Sequence, residues 1–177
     1  MDILITGGTG FIGSHTSLEI LQKNKNLNLI LIDNLKNSKL SVKKEIEKLS
    51  KKKFTFIKCD LLDKKKLNKL FIKFNFKAVI HFAALKSVEE SVKELLKYYN
   101  NNVVGTLNLL SVMKSHDVRK LIFSSSAAIY CKNEISPLKE ESLISPSSPY
   151  GETKAIMEKI IKDTEKMNQN WKILIFR

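Results

Sequence analysis

The amino-acid sequence predicts an α/β fold, a doubly wound parallel sheet covered by helices on both faces. Short apolar runs, which are typical of strands buried in a parallel sheet, alternate with longer segments whose apolar residues recur at steps of three and four. Such strand–helix alternation predicts a parallel sheet. The chain has 177 residues, 43% of them hydrophobic and 28% charged, which predicts one globular domain over residues 1–177.

Six apolar runs predict the strands of this sheet. They cover residues 3–6, 29–32, 54–57, 78–81, 121–124 and 173–176. The sixth run reads as a central strand, and no helix follows it to cover its apolar face. We therefore expect the chain to be truncated after the sixth strand.

Five amphipathic segments predict the helices. They cover residues 14–23, 41–49, 65–74, 88–115 and 150–167. The connection over residues 125–149 contains all three prolines of the chain. Because a connection this long inside a compact domain is usually functional, we expect it to lie at a site.

The chain is strongly basic, with a formal net charge of +13 at pH 7. Lysine supplies nearly all of this charge, since Arg119 and Arg177 are the only arginines. Nucleic-acid readers usually rely on arginine forks and interleaved aromatic residues, whereas lysines spread along a chain are typical of a solvated surface. We expect no nucleic-acid partner, and a basic nucleic-acid binder is the last alternative that we keep.

The two cysteines, Cys59 and Cys131, stand far apart and lack the spacing of metal ligands. We therefore expect a reduced, cytoplasmic chain with no metal site. No apolar run approaches the roughly 20 residues of a membrane-spanning helix, so we expect no membrane partner.

A glycine-rich segment connects the first predicted strand to the first predicted helix. Its glycines are Gly7, Gly10 and Gly13. Gly7 permits a tight turn, Gly10 lets the backbone approach a pyrophosphate, and Gly13 lets helix and strand pack closely. The helix N-terminus offers its amides to the phosphates. Asp33 stands 20 residues after Gly13, where a carboxylate accepts hydrogen bonds from the adenosine ribose. Its charge repels a 2′-phosphate, so the sequence favours NAD over NADP as cofactor.

Three side chains predict a catalytic site. Tyr150 and Lys154 stand four residues apart at the start of the last predicted helix, so both lie on one face. Tyrosine is a poor base at neutral pH, and a nearby ammonium stabilises its phenolate. Ser126 follows the fifth strand, at the edge where ligands bind in open α/β sheets, and can share a substrate hydroxyl with Tyr150. We interpret His81, at the end of the fourth strand, as a structural histidine.

Several longer strings of residues match one family. These strings are residues 33–38, 81–86, 98–106 and 124–130. Together with the glycine segment and the pair Tyr150 and Lys154, they make the sequence resemble the extended short-chain dehydrogenase/reductase superfamily and, within it, the UDP-glucose 4-epimerases. The resemblance covers the whole chain but only about the first half of the family's length. It implies a Rossmann-like NAD-binding domain from which the family's C-terminal substrate domain is absent.

The resemblance also implies which residues bind NAD. They are Gly7, Gly10, Phe11, Ile12 and Gly13 for the phosphates, Asp33, Asn34, Asn37 and Ser38 for the adenosine ribose, Asp60 and Leu61 for the adenine, and Phe82, Ala83, Ala84, Lys86, Asn101, Tyr150 and Lys154 for the rest of the cleft.

The implied reaction interconverts UDP-glucose and UDP-galactose through a 4-keto sugar. Tyr150 takes the proton of the sugar 4-hydroxyl while hydride leaves C4 for NAD, Lys154 holds the nicotinamide ribose, and Ser126 orients the 4-oxygen. The family's uridine-nucleotide site lies in its second half, so we expect the UDP-hexose to bind only in the complete enzyme. If the chain is complete, we expect it to bind NAD weakly and to epimerise nothing. The family also implies a homodimer that packs through the helices predicted at 88–115 and 150–167.

Two further alternatives remain open. A nucleotide-sugar 4,6-dehydratase shares the tyrosine and the lysine, but its pattern has an Asp-Glu pair after the active-site hydroxyl, where this chain has Ala127 and Ala128. The second alternative is a non-catalytic NAD-binding module, which a UDP-sugar turnover assay separates from the enzyme.

Overall fold

The computed structural model describes residues 1–24, 26–132 and 136–177, and its centre is a sheet of six parallel strands. The strands are β1 (Asp2–Thr6), β2 (Asn28–Asp33), β3 (Thr55–Lys58), β4 (Phe76–His81), β5 (Lys120–Ser124) and β6 (Lys172–Phe176). Their order across the sheet is β3-β2-β1-β4-β5-β6, and every neighbouring pair is parallel. All six predicted strands are confirmed.

Helices cover both faces of this sheet, which confirms the doubly wound fold. The α-helices are α1 (Phe11–Lys23), α2 (Ser41–Ser50), α3 (Lys64–Lys73), α4 (Val88–Lys93), α5 (Leu95–Tyr98), α6 (Gly105–Ser115) and α7 (Pro149–Met167). A π-helical segment (Tyr99–Val104) joins α5 to α6, and a 3-10 helix (Ala127–Ile129) follows β5.

Alternate side chains of the strands β1 to β5 fill two separate hydrophobic cores. Ile3 and Ile5 of β1 pack in the core that contains Leu21 of α1 and Ile46 of α2. Leu4, which lies between them in sequence, packs in the other core with residues of α3, α6 and α7. Because successive side chains of a strand point to opposite faces, a continuous apolar run supplies both cores at once.

The segment 88–115, which the sequence predicts as one helix, is divided in the structure. Helix α4 ends at Lys93 because Glu94 has a non-helical backbone, with φ −123° and ψ 47°. The chain then continues through α5 and the π-helical segment into α6. The apolar pattern continues across these interruptions, so periodicity alone could not reveal them.

Helix α1 begins at Phe11, three residues before the predicted start at residue 14. Gly10 is its N-cap residue, with extended backbone and no capping side chain. The prediction was late because it took the helix to begin after the third glycine, whereas Gly13 already lies inside the first turn.

Strand β6 was predicted as a central strand, but it lies at the edge of the described sheet, paired with β5 alone. Its side chains Leu174 and Phe176 are 58% and 60% exposed. The apolar face expected of this strand is therefore exposed, while its predicted central position is wrong for the described residues.

The sheet changes winding direction between β1 and β4. The chain leaves β1 towards α1 on one face and leaves β4 towards α6 on the other, so a crevice opens outside the carboxyl ends of these strands. Of the connection 125–149, residues 133–135 lie outside the described residues. Its remainder contains the 3-10 helix and one antiparallel bridge, between Tyr130 and Ile144. No helix in the described ranges is long and apolar enough to cross a membrane.

Candidate functional site

One cleft lies along the carboxyl edge of the sheet, where the sequence predicts the cofactor. Its lining includes fifteen residues predicted to bind the cofactor: Gly7, Gly10, Phe11, Ile12, Gly13, Asp33, Asn34, Asn37, Asp60, Leu61, Phe82, Ala83, Ala84, Lys86 and Asn101. Ser38 and the predicted catalytic residues Tyr150, Lys154 and Ser126 are outside this lining.

The glycine turn is so tightly packed at Gly7 and Gly13 that no side chain fits at either position. Gly7 has φ +68°, a left-handed conformation, and a Cβ there would lie 2.7 Å from the Ala83 backbone nitrogen. A Cβ on Gly13 would lie 2.2 Å from the Gly7 carbonyl oxygen. Gly13 therefore lets α1 approach the turn itself, in addition to the packing of helix on strand that the sequence predicts.

The N-terminus of α1 opens into the cleft without a capping side chain or an acidic residue in its first turn. Free amides and the helix dipole at such an end favour an anion. Phe11 and Ile12 lie in this first turn and are 74% and 55% exposed. Exposed apolar side chains of this size, beside an anion-binding helix end, suit a ligand that has both phosphate and apolar parts.

Asp33 ends β2 as a buried carboxylate that accepts three hydrogen bonds. Its Oδ1 accepts from the Leu35 amide (2.9 Å) and from the Ser38 hydroxyl (2.8 Å), and its Oδ2 accepts from the Thr9 amide (3.3 Å). Ser38 thus contributes by orienting Asp33 and lies outside the cleft lining. The carboxylate also ties the β2 loop to the glycine turn, because Thr9 belongs to that turn.

Asp60, which follows β3, forms the next polar group of the cleft. Lys36 and Asn34 donate to its Oδ2, each at 3.1 Å, and the Leu62 amide donates to its Oδ1 at 3.0 Å. Burial alone would raise the pKa of the Asp60 carboxyl, but these hydrogen bonds lower it below its usual range. The carboxylate is therefore kept ionised beside Leu61.

Lys154 reaches the edge of the cleft from α7. Its Nζ donates to the Ser124 carbonyl oxygen at 2.8 Å and lies 4.9 Å from the centroid of the Phe123 ring. Burial lowers the pKa of Lys154 to about 8, and the negative charge of Glu158 acts in the opposite direction. Because Ser124 lines the cleft, this hydrogen bond places the ammonium next to it.

Tyr150 and Ser126 lie on two elements that touch each other. Tyr150 is half-buried in the first turn of α7, and Ser126 caps the 3-10 helix by accepting the Ala128 amide at 3.1 Å. The two elements meet at Gly151, where a Cβ would lie 2.4 Å from the Ala128 carbonyl oxygen. Gly151 was not predicted from sequence as a site residue, although a glycine in the first turn of a helix is a signal of close backbone packing.

Asn102, in the π-helical segment, is a buried residue whose side chain connects the loop after β4 to α7. Its role was also not predicted from sequence. Its side chain accepts the Leu85 amide (2.8 Å) and donates to the Leu85 carbonyl (3.0 Å) and to the Thr153 hydroxyl (3.1 Å). Thr153 in turn donates to the Tyr150 carbonyl at 2.7 Å. The cleft loop after β4 is thereby connected to the first turn of α7.

His81 is neutral and its two ring nitrogens are both hydrogen-bonded. The Thr106 hydroxyl donates to the Asn102 carbonyl (2.7 Å), so its oxygen accepts from His81 Nε2 (2.9 Å), and Nδ1 accepts from the Thr6 hydroxyl (2.6 Å). Burial lowers the pKa of His81 to about 3, and the charge of Lys154 acts in the same direction. These contacts support the interpretation of a structural histidine.

We expect His81 to make the fold sensitive to acid. Its pKa is lower in the folded chain than the ordinary 6.5, so the unfolded chain binds more protons below pH 6.5 and stability falls as the pH falls. The loss is about 1.4 kcal/mol per pH unit. In urea unfolding at pH 7 and pH 5, His81→Gln should lose about 2 kcal/mol less between the two pH values than the parent chain. Exposed His15→Gln is the control, and equal pH dependence in parent and His81→Gln would contradict the prediction.

Leu85, which belongs to the family string 81–86, also lines the cleft. Four further cleft residues were not predicted from sequence, and they are Thr6, Ile32, Cys59 and Ser124. Thr6 and Ser124 end strands, Ile32 is the next-to-last residue of β2, and Cys59 directly follows β3. Their position at strand ends is the signal that could have found them. Burial raises the pKa of the Cys59 thiol to about 11, which leaves it unreactive at neutral pH. Among the described residues, no cluster of three or more His, Cys, Asp or Glu side chains could hold a metal ion.

Comparison with known proteins gives consistent matches over the whole chain. A family model described as GDP-mannose 4,6 dehydratase matches residues 4–175. The UDP-glucose 4-epimerase of Bacillus subtilis (strain 168) is 41% identical over 177 residues, which are 100% of this chain and 52% of that protein. The UDP-glucose 4-epimerase of Dictyostelium discoideum is 42% identical, covering 99% of this chain and 50% of that protein.

Solved structures give the same result. The UDP-glucose 4-epimerase from Bifidobacterium longum, in complex with NAD+ and UDP, is 38% identical with a TM-score of 0.95, covering 100% of this chain and 52% of that one. The enzyme from Brucella ovis, in complex with NAD, is 34% identical with a TM-score of 0.86, covering 98% of this chain and 50% of that one. The chain thus spans about half the length of the relatives that it matches.

Proposed function

The chain belongs to the GDP-mannose 4,6 dehydratase family, and from this membership we propose that it is the NAD-binding half of an epimerase that interconverts UDP-glucose and UDP-galactose. The observation that carries the proposal is that the glycine turn and Asp33 line one cleft at the sheet edge, and that Lys154 of α7 donates to Ser124 of the same cleft. Tyr150 precedes Lys154 by one turn of the same helix. The relatives named as UDP-glucose 4-epimerases, two of them solved with NAD, support the same reaction.

The cleft fits NAD in both shape and chemistry. The side-chain-free turn at Gly7 and Gly13 and the uncapped end of α1 suit a pyrophosphate. Asp33 suits the adenosine ribose and disfavours a 2′-phosphate, while Asp60 and Leu61 border the place for the adenine. The residues from Phe82 to Lys86 and Asn101 would line the remaining cleft towards α7.

Residues at the start of α7 and after β5 would bind and deprotonate the sugar 4-hydroxyl. Tyr150 takes the proton from the 4-hydroxyl, and the nearby ammonium of Lys154 stabilises the phenolate and holds the nicotinamide ribose. Ser126, whose oxygen is fixed by the Ala128 amide, orients the sugar 4-oxygen. When bound, NAD would supply the hydride chemistry at C4, as acceptor and then as donor in its reduced form.

The dehydratase reaction in the name of the family model is less well supported. A 4,6-dehydratase needs an acid and a base for β-elimination beside the active-site hydroxyl. In this chain, Ala127 and Ala128 follow Ser126 and form the 3-10 helix. A purely non-catalytic module is also less well supported, because it has no need of a buried lysine beside the cleft.

We also propose that the complete enzyme is a cytoplasmic homodimer that binds a UDP-hexose. Val92, Leu95, Leu96 and Leu107 on α4, α5 and α6 are exposed apolar side chains, which suits a helical interface. Both cysteines are free thiols, which suits a reducing compartment.

Calorimetric titration of the purified chain with NAD+ tests the proposal. We expect one saturable site and weaker binding of NADP+, and no NAD+ binding would contradict the cofactor assignment. With NAD+ present, we expect no turnover of UDP-galactose by residues 1–177 alone, because half of the family's site cannot hold the sugar at C4. Measured turnover would contradict that expectation, and Tyr150→Phe should then lower it by about 100-fold or more.

A further inference from the structure

Glu158, on the buried face of α7, is a carboxylate that takes no part in the proposed chemistry. It is 2% exposed and follows Lys154 by one helical turn, on the same buried face. Arg177 donates to it through both arms of its guanidinium, Nε to Oε1 at 3.0 Å and an Nη atom to Oε2 at 2.8 Å. Lys162 donates to Oε2 from the surface at 3.2 Å.

Arg177 holds this carboxylate in a fixed place. Its other terminal nitrogen donates to the Tyr130 hydroxyl at 2.9 Å and to the Glu140 carbonyl at 2.7 Å. The guanidinium is thus oriented from three sides, by α7, by the end of the 3-10 helix and by the connection beyond it. Burial alone would raise the pKa of the Glu158 carboxyl, but the hydrogen bonds from Arg177 keep it below its usual range.

The Glu158 carboxylate acts electrostatically on the buried ammonium of Lys154. This ammonium has a neutral hydrogen-bond partner, the Ser124 carbonyl, and burial lowers the pKa of Lys154 to about 8. Around it, neutral His81 faces it from β4, Tyr150 lies one turn earlier on α7, and Arg177 stands behind Glu158. Of these groups, Glu158 carries the negative charge that favours the ammonium.

We propose that Glu158, fixed by Arg177 one helical turn from Lys154, is a positioning residue whose carboxylate keeps the Lys154 ammonium charged beside the cleft. The proposal rests on the proposed function, in which the Lys154 ammonium stabilises the Tyr150 phenolate. Stability alone is a weaker reason for the pair, because a buried ion pair is often no more stabilising than apolar residues of similar volume. Glu158 lies one helical turn from the buried Lys154, so its negative charge favours the Lys154 ammonium. A pair of apolar side chains would lack this effect.

NMR titration of the chain labelled with 13C at the lysine ε-carbons tests the proposal. The Lys154 signal is assigned by its loss in Lys154→Arg, and its titration midpoint is compared between the parent chain and Glu158→Gln. We expect the midpoint to fall by about 1 pH unit or more in Glu158→Gln, because an opposite charge nearby has been removed. Asp163→Asn, which removes an exposed carboxylate from the same helix, should leave the Lys154 midpoint unchanged.

An unchanged Lys154 midpoint in folded Glu158→Gln would overturn the proposal. If Glu158→Gln does not fold, the double variant Glu158→Met with Arg177→Met replaces the ion pair by apolar side chains, which buried sites often accept. The Lys154 midpoint must fall in that variant too, or the proposal fails. The titration needs neither NAD nor a sugar, so a failure of the proposed function, seen as absent NAD+ binding, stays distinguishable from a failure of this inference.

Discussion

Gly13→Ala should weaken NAD+ binding by at least about 100-fold, equivalent to about 2.7 kcal/mol. The added Cβ would lie 2.2 Å from the Gly7 carbonyl oxygen and 3.0 Å from the Gly7 carbonyl carbon. These are backbone atoms, so no side-chain rotation relieves the contact, and the turn or the start of α1 must move. The phosphate-binding amides belong to both. Titration calorimetry with NAD+ measures the effect.

The same change should lower the stability of the fold by about 1–3 kcal/mol, as overpacking usually does. Gly105→Ala is the matched control, because a Cβ there first meets the Leu61 side chain at 3.3 Å and Leu61 can adjust. Gly105 begins α6, where alanine is the better helix former. We expect this control to keep NAD+ affinity within about threefold, which corresponds to about 0.65 kcal/mol. Equal NAD+ affinity in the two variants would contradict the role of Gly13.

Asp33→Asn should weaken NAD+ binding by about 10- to 100-fold and remove most of the discrimination against NADP+, since a hydrogen bond to a charged group contributes about 1.5–3 kcal/mol. The carboxylate accepts from the Leu35 amide, the Ser38 hydroxyl and the Thr9 amide. An asparagine in either orientation places its NH2 group opposite one of these donors. The β2 loop and the glycine turn then lose their shared anchor, and the repulsion of a 2′-phosphate disappears.

The measurement is the ratio of NADP+ to NAD+ dissociation constants in the parent chain and in Asp33→Asn. Asp63→Asn is the matched control, because it removes one negative charge from an exposed N-cap that lies outside the cleft lining. Asparagine is also a good N-cap residue, so α3 should be kept. We expect the ratio to be unchanged in the control. An unchanged ratio in Asp33→Asn would mean that another group selects the cofactor.

The fold could be predicted from sequence because its signals are local. A strand buried on both faces is a continuous apolar run wherever it occurs, and six such runs were placed within two residues of their observed ends. The glycine turn was predictable for the same reason, since the chain must turn sharply between β1 and α1. The division of the segment 88–115 was not predictable, because its apolar pattern continues across the break at Glu94 and the π-helical segment.

The candidate site divides in the same way. The spacing of Gly7, Gly10 and Gly13 and the four-residue step from Tyr150 to Lys154 are properties of the sequence by itself, because they follow from local backbone geometry. Only the tertiary structure decided that β6 lies at the edge of the described sheet, that Lys154 donates to Ser124, and that Arg177 joins Glu158 across 19 residues. A buried charge must find its partner wherever packing brings one within hydrogen-bond distance, and no periodicity in the sequence encodes that choice.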